Sequence, residues 1–205
     1  MFRTTTPKRR ANRAVCKNYT SYRKTLTEDF NNKCGYCDDY DLYRIRSFTI
    51  DHFFPQHPEN KSIPDPIPSN NYYNLVYCCS YCNSAKSNKW YTLSSGIHNE
   101  KNIGFVDPCF DDYAVLFLRD QEGRIKPNSQ NKDLAEFILN NLKLWLPIHS
   151  LMWRVNKLHT LEIKVRDKLE SISESDSNFE ELKQQHYDIM YIVTDLFSKI
   201  FLHNE

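Results

Sequence analysis

The sequence predicts an α+β fold: a small mixed core stapled by a structural zinc, then a β-hairpin, then a C-terminal helical hairpin. Three observations carry the prediction. Cys34 and Cys37 in "KCGYC" and Cys79 and Cys82 in "CCSYCN" repeat a C-x2-C spacing, so two turns of chain offer four thiolates to one tetrahedral ion. Between the pairs, the apolar, β-branched runs at 48–50 and 72–79 read as two strands of a hairpin. Beyond Asn131, apolar residues recur at steps of three and four toward the C-terminus.

Length and composition bound the answer before any motif does. A chain of 205 residues allows one or two domains, and 40% hydrophobic with 14% aromatic content is enough for a packed core. No apolar run approaches membrane length and the N-terminus lacks an apolar leader, so a cytoplasmic protein with no membrane partner is expected. Seven cysteines in a reducing compartment suit metal binding better than disulfides. Three regions are expected: a basic segment over 1–24, a core with the zinc knuckle over 25–108, and a hairpin with helices over 109–205.

Taken in order, the first region carries Arg3, Lys8, Arg9, Arg10, Arg13, Lys17, Arg23 and Lys24 with no acid before Glu28. Such a segment either binds phosphates by releasing counterions or is a solvated, partly disordered tail. Residues 25–32 read as a short helix leading into the first cysteine pair. The run 48–50 ends on Asp51 and His52 and is stopped by Pro55; a loop rich in Pro, Asn and Ser fills 55–71, and Asn83 is expected to open a short helix. Residues 90–104 read as a polar loop, and 114–118 as a strand that turns at "RDQEG" and returns through 124–126.

The helical region begins with Leu134, Phe137, Ile138, Leu142 and Leu146, which Pro147 is expected to end or kink. A heptad-spaced run through Ile148, Leu151, Val155, Leu158, Val165, Leu169 and Ile172 follows, interrupted by Glu162. "SISESDSN" breaks it, and Leu182, Ile189, Val193, Leu196 and Ile200 resume it. Tyr187, Met190, Tyr191, Phe197 and Phe201 widen the last apolar face beyond a two-helix seam, so the hairpin is either an internal core or a docking surface.

Among the cysteines, Cys78 competes with Cys79 for the third ligand position, and the repeated spacing favours Cys79. The alternative for the whole set is buried free thiols or disulfides. Cys16, Cys78 and Cys109 are then small buried apolar residues. Asp51 and His52 at a strand end and Asn83 at a nearby helix start can converge on one hard cation through oxygen and nitrogen ligands. His57, between prolines, reads as a polar loop residue, with metal or phosphate binding as the alternative.

On the two cysteine pairs, "IDHFFP", "NLVYCCSYCN" and the following Lys86, the chain resembles the HNH nuclease family, whose ββα-metal fold often carries a four-cysteine zinc outside the active site. The resemblance implies roles: His52 as general base, Asp51 and Asn83 as ligands of a catalytic Mg2+ or Mn2+, Asn74 as the residue that holds the loop and orients the base, and Lys86 as a contact to substrate phosphate. The order of the segments outside the motif is similar to the HNH subunit of Septu-type and retron-associated phage-defence systems. That likeness implies DNA or tRNA as substrate, an ABC- or SMC-like ATPase partner, and a retron reverse transcriptase with its RNA–DNA as a further partner. A zinc-stabilised nucleic-acid-binding or adaptor module with a vestigial site is the competing expectation; replacing His52 separates the two.

Overall fold

The computed structural model describes residues 2–43, 46–59, 63 and 67–202. Among these the chain is a mixed α/β protein with three two-stranded sheets. The expected loop over 55–71 lies partly outside the described residues, as does the end of the region that reaches residue 205.

Helix α1 (Arg23–Asp29) buries Thr25 and Leu26 and ends where Asn31 and Asn32 turn left-handed, φ 54° and 57°. Asn tolerates that conformation better than most residues, so the chain reverses there and enters the first cysteine pair. Residues 33–40 close on themselves: Cys34 N–H donates to the Asp39 carbonyl at 2.9 Å and Asp38 N–H to the Cys34 carbonyl at 2.9 Å. Gly35 permits the closure, because a Cβ there would lie 2.7 Å from the Phe30 ring and 2.8 Å from Val76 Cγ1.

Strands β1 (Thr49–His52) and β2 (Leu75–Cys78) pair antiparallel, with Asp51 opposite Val76 and His52 opposite Leu75. All four β2 residues are buried. Full burial of Leu75 and Val76 alone stabilises the hairpin by about 1.5–3 kcal/mol each. Helix α2 (Ser80–Lys86) follows directly, capped by Cys79. Asn83 therefore sits in the middle of this helix and does not open it as expected; the cap is a cysteine, a residue type outside the usual Ser, Thr, Asp and Asn.

The basic N-terminal segment is not a free tail. Phe2 is buried against the rings of Tyr113 and Phe117, 6.2 and 5.3 Å between centroids. Arg3 donates to the carbonyls of Gly35 and Pro108, and Arg9 to the Leu75 carbonyl and the Asp107 carboxylate, each of the Arg9 bonds at 2.8 Å. Arg10 pairs with Glu28 and Asp29. Lys8, Lys17 and Lys24 stay on the surface.

Residues 90–104 contain a small hairpin, β3 (Asn99–Glu100) with β4 (Ile103–Gly104). Lys101 and Asn102 both have positive φ, the geometry of a type I′ turn, but "KN" lacks the Asn-Gly signal that announces one. Ala114 and Val115 belong to helix α3 (Asp111–Val115), with two aspartates in its first turn, and only then does strand β5 (Phe117–Arg119) begin; it pairs with β6 (Ile125–Pro127).

Helix α4 (Lys132–Asn141) ends before Pro147, which instead starts α5 (Pro147–Glu170) at a position where its missing N–H is harmless. Helix α6 (Phe179–Leu202) runs back along α5. Ile148, Leu151, Met152 and Val155 pack with Leu196 and Ile200, and Val165 packs with Ile189 and Val193, so the pair is antiparallel. Glu162, which breaks the apolar stripe, is buried and accepts from His186 Nε2 at 3.0 Å and Arg166 at 3.3 Å. Tyr187, Met190, Tyr191 and Phe201 face outward, Tyr191 at 78% exposure, whereas Phe197 packs inward.

Candidate metal centre and adjoining cleft

Because β2 runs straight into α2, Cys79 and Cys82 lie on one helical turn, and the 33–40 closure brings Cys34 and Cys37 against them. The four Sγ atoms lie within 4.8 Å of one another, and all four residues are buried. The Cys37–Cys79 sulfur separation is 3.8 Å. A tetrahedral zinc with Zn–S near 2.3 Å places its sulfurs about 3.8 Å apart, the separation this pair shows, so the donor set is consistent with zinc. Cys78 points away, to Thr49 Oγ1 at 3.6 Å, which settles the competition in favour of Cys79. Among the described residues no disulfide joins the cysteines. Burial pushes the Cys37 and Cys82 thiols well above their ordinary range, so a cation is needed to hold these two as thiolates.

Around the knuckle a buried ionic group ties three regions together. Asp39 receives Arg119 from β5 at 2.9 Å and His149 Nδ1 from α5 at 2.6 Å, while the Cys37 thiol lies 3.2 Å from its Oδ2. Cys37, Asp39 and His149 also approach closely enough to be read as metal ligands. Asp39 already neutralises Arg119, however, and Cys37 completes the four-thiol set, so the four cysteines are the better donor group.

The Asp51–His52 pair stands above this staple. His52 Nε2 lies 2.8 Å from the Ser69 carbonyl oxygen. A carbonyl only accepts, so Nε2 carries the proton in that bond and Nδ1 keeps the lone pair. Tyr19 closes one side of the imidazole, edge-on at 4.8 Å. Asp51 Oδ2 accepts from Tyr36 Oη at 2.5 Å and from Lys86 Nζ at 3.2 Å. Burial and the Asp51 charge push the Tyr36 phenol well above its ordinary value, so it stays protonated and keeps donating. Both bonds fall on one carboxylate oxygen, which leaves the other to the cleft.

Asn74 occupies a place where it clamps the turn after β1. Its Oδ1 accepts from Phe54 N–H at 2.8 Å, its Nδ2 donates to the Phe54 carbonyl at 2.9 Å, and its own carbonyl accepts from Phe53 N–H. The residue thus fixes the chain immediately after His52. Asp51, His52, His57, Asn83 and Ser87 line a single open cleft of about 200 Å3. Asn83 is half-buried there and His57 is exposed.

Lys86 is the residue whose placement differs most from expectation. It is fully buried, its ammonium held between the His52 carbonyl at 2.9 Å and Asp51, so it cannot reach a substrate phosphate. A charged group is buried in this way only when a partner compensates it. Tyr36 and the Ser69 carbonyl are not announced by the sequence, and Tyr19, one of two tyrosines interspersed with the N-terminal charges, packs on His52. Tyr36 alone carried a hint, since it sits inside the first cysteine pair.

No protein-family model matches the chain, and no curated protein matches it. Among the described residues no helix is long and apolar enough to cross a membrane.

Proposed function

We propose that the chain is a metal-dependent HNH-type endonuclease that hydrolyses nucleic-acid phosphodiester bonds. The observation that carries the reading is the His52 imidazole: its Nε2 is committed to the Ser69 carbonyl, and it shares a cleft with Asp51 and Asn83. Nδ1 is then the nitrogen that takes a proton from an attacking water. Asn74 keeps the imidazole in place through the turn it clamps, and Tyr36 with Lys86 fixes the orientation of the Asp51 carboxylate. Asp51 and Asn83 offer hard oxygen donors, the set that suits Mg2+ or Mn2+, and such an ion supplies charge neutralisation at the phosphate and leaving oxygens. The ββα-metal description of β1, β2 and α2 belongs to this proposal, as does membership of a phage-defence complex with an ATPase partner, for which the outward aromatic face of α6 is the available surface.

The test compares wild type with His52→Ala on duplex DNA, single-stranded DNA and tRNA in Mg2+, with and without an ATPase that co-purifies. Loss of cleavage by about 10²–10⁴-fold in a variant that keeps its fold supports the reading. One observation favours the adaptor alternative: Lys86 already compensates Asp51, as it would in a site that no longer recruits a metal. Nucleic-acid binding unchanged by His52→Ala, with no cleavage by wild type under any of these conditions, would establish that alternative.

A further inference from the structure

A second cleft lies next to the first on α2. It has a volume of about 200 Å3, and its walls include Arg46, Ser80, Tyr81, Ser84 and Lys143; among the described residues no carboxylate lines it. Helix geometry makes the two clefts neighbours. Ser80 and Ser84 of α2 line this cleft, while Asn83, the residue before Ser84, lines the Asp51–His52 cleft and stands about 100° from Ser84 around the helix. Ser84 and Ser87 are both exposed, Ser84 lining the second cleft and Ser87 the first.

The two cations come from distant parts of the chain. Arg46 precedes β1, and Lys143 follows α4. Arg46 is exposed and brings a guanidinium, whose fork matches two phosphate oxygens. Lys143 is held at φ 52°, in the left-handed region, by a helix end that Leu144 N–H closes onto the Leu139 carbonyl at 2.9 Å. Gly or Asn fits that position with less strain. The chain keeps a cationic residue there against local preference, and that residue lines a cleft with Ser80 and Ser84 that has no carboxylate among the described residues. Strain retained beside a pocket is an argument for function at that residue.

We propose that this cleft is a phosphate subsite, in which Arg46 and Lys143 grip a backbone phosphate of the nucleic-acid strand that enters the Asp51–His52 cleft. The inference rests on the nuclease reading for the identity of the ligand, but its readout is binding. Ser80 and Ser84 supply hydroxyl donors to the same phosphate. The subsite orients the strand across α2 and carries no base information, because phosphate contacts fix register and base edges specify sequence.

The experiment measures anisotropy of a short labelled DNA oligonucleotide and an RNA oligonucleotide of the same sequence, with the full chain in a His52→Ala background, between about 50 and 200 mM salt. Arg46→Ala and Lys143→Gly should each lower the slope of log affinity against log salt by about 0.7–0.9. Over that salt range each variant should lose about threefold less affinity than the parent. Lys143→Gly should at the same time keep or raise the melting temperature, a gain in stability with a loss of binding that a purely structural role would not give. Unchanged slopes in both variants, or no binding of either oligonucleotide by the parent, overturn the subsite. Cleavage assays of the otherwise native protein decide the catalytic reading separately: slopes that fall while wild type never cuts would keep the subsite and remove the nuclease.

Discussion

Removing the metal from the four-cysteine knuckle should be the most damaging single perturbation of this fold. The Cys37–Cys79 link spans 42 positions of chain. Treated as a cross-link that restricts the unfolded chain, a loop of that length is worth about 4 kcal/mol. Against a typical total of about 5–15 kcal/mol, that is a large fraction of the stability. For a chain of this size it corresponds to a fall in melting temperature of about 8–16 °C. The assay has two parts: metal analysis of purified protein, which should return one zinc per chain, and thermal unfolding of wild type and Cys34→Ala with and without chelator. Chelator should destabilise wild type and leave Cys34→Ala little changed, because the variant has already lost the site. Protein that purifies without metal, melts at the same temperature in chelator and titrates four reactive thiols at the knuckle in its native state would refute the reasoning.

Three further outcomes follow from named contacts. Asn74→Ala leaves the N–H and carbonyl of buried Phe54 without partners and should cost about 2–4 kcal/mol by urea unfolding, with cleavage reduced as the turn after His52 loosens. Arg9→Ala removes one partner of the buried ion pair with Asp107 and should cost about 3–5 kcal/mol; a melting curve unchanged by the substitution would restore the free-tail expectation. Burial among Phe53, Trp90 and Phe110 lowers the His98 pKa from 6.5. The unfolded chain therefore binds more protons than the folded one between the depressed value and 6.5, so stability rises with pH through that window and is lost as pH falls through it. An NMR titration should place the His98 midpoint below 6.5, and His98→Gln should remove that part of the acid sensitivity.

What could be read from the chain was what local rules encode. The paired C-x2-C spacing identified all four close thiols, and the strand ending on Asp51 and His52 followed from a β-branched run stopped by proline. The heptad steps gave the long antiparallel helices and placed the break between them. The features that escaped depend on distance in sequence. Arg9 reads as one charge in a basic run, and only Asp107 makes it an internal ion pair. Lys86 reads as a surface lysine one turn after Asn83, but the helix turns it inward onto Asp51 and the His52 carbonyl. Short elements such as β3, β4 and α3 are too brief to show a period, and Pro147 was misjudged because a proline ends one helix or begins the next with the same local signal.

The knuckle and the cleft are joined through Tyr36, and this affects how any loss of activity is interpreted. Tyr36 lies between Cys34 and Cys37, its hydroxyl bonds Asp51, and its carbonyl accepts from Tyr113 Oη at 2.9 Å. A knuckle that opens moves Tyr36, and Asp51 then keeps only Lys86, whose charge favours a direct ion pair over any metal. Zinc removal should therefore abolish cleavage even at temperatures where most of the chain stays folded, and such a result alone says nothing about which metal does chemistry. Tyr36→Phe separates the two. It keeps the ring and the cysteine spacing and deletes one hydrogen bond, so it should retain zinc and lower cleavage by misorienting Asp51. If Tyr36→Phe cuts as wild type does, Asp51 is oriented by Lys86 alone and the coupling between knuckle and cleft runs through β2 and α2, the elements that carry Cys79 and Cys82 directly to Asn83.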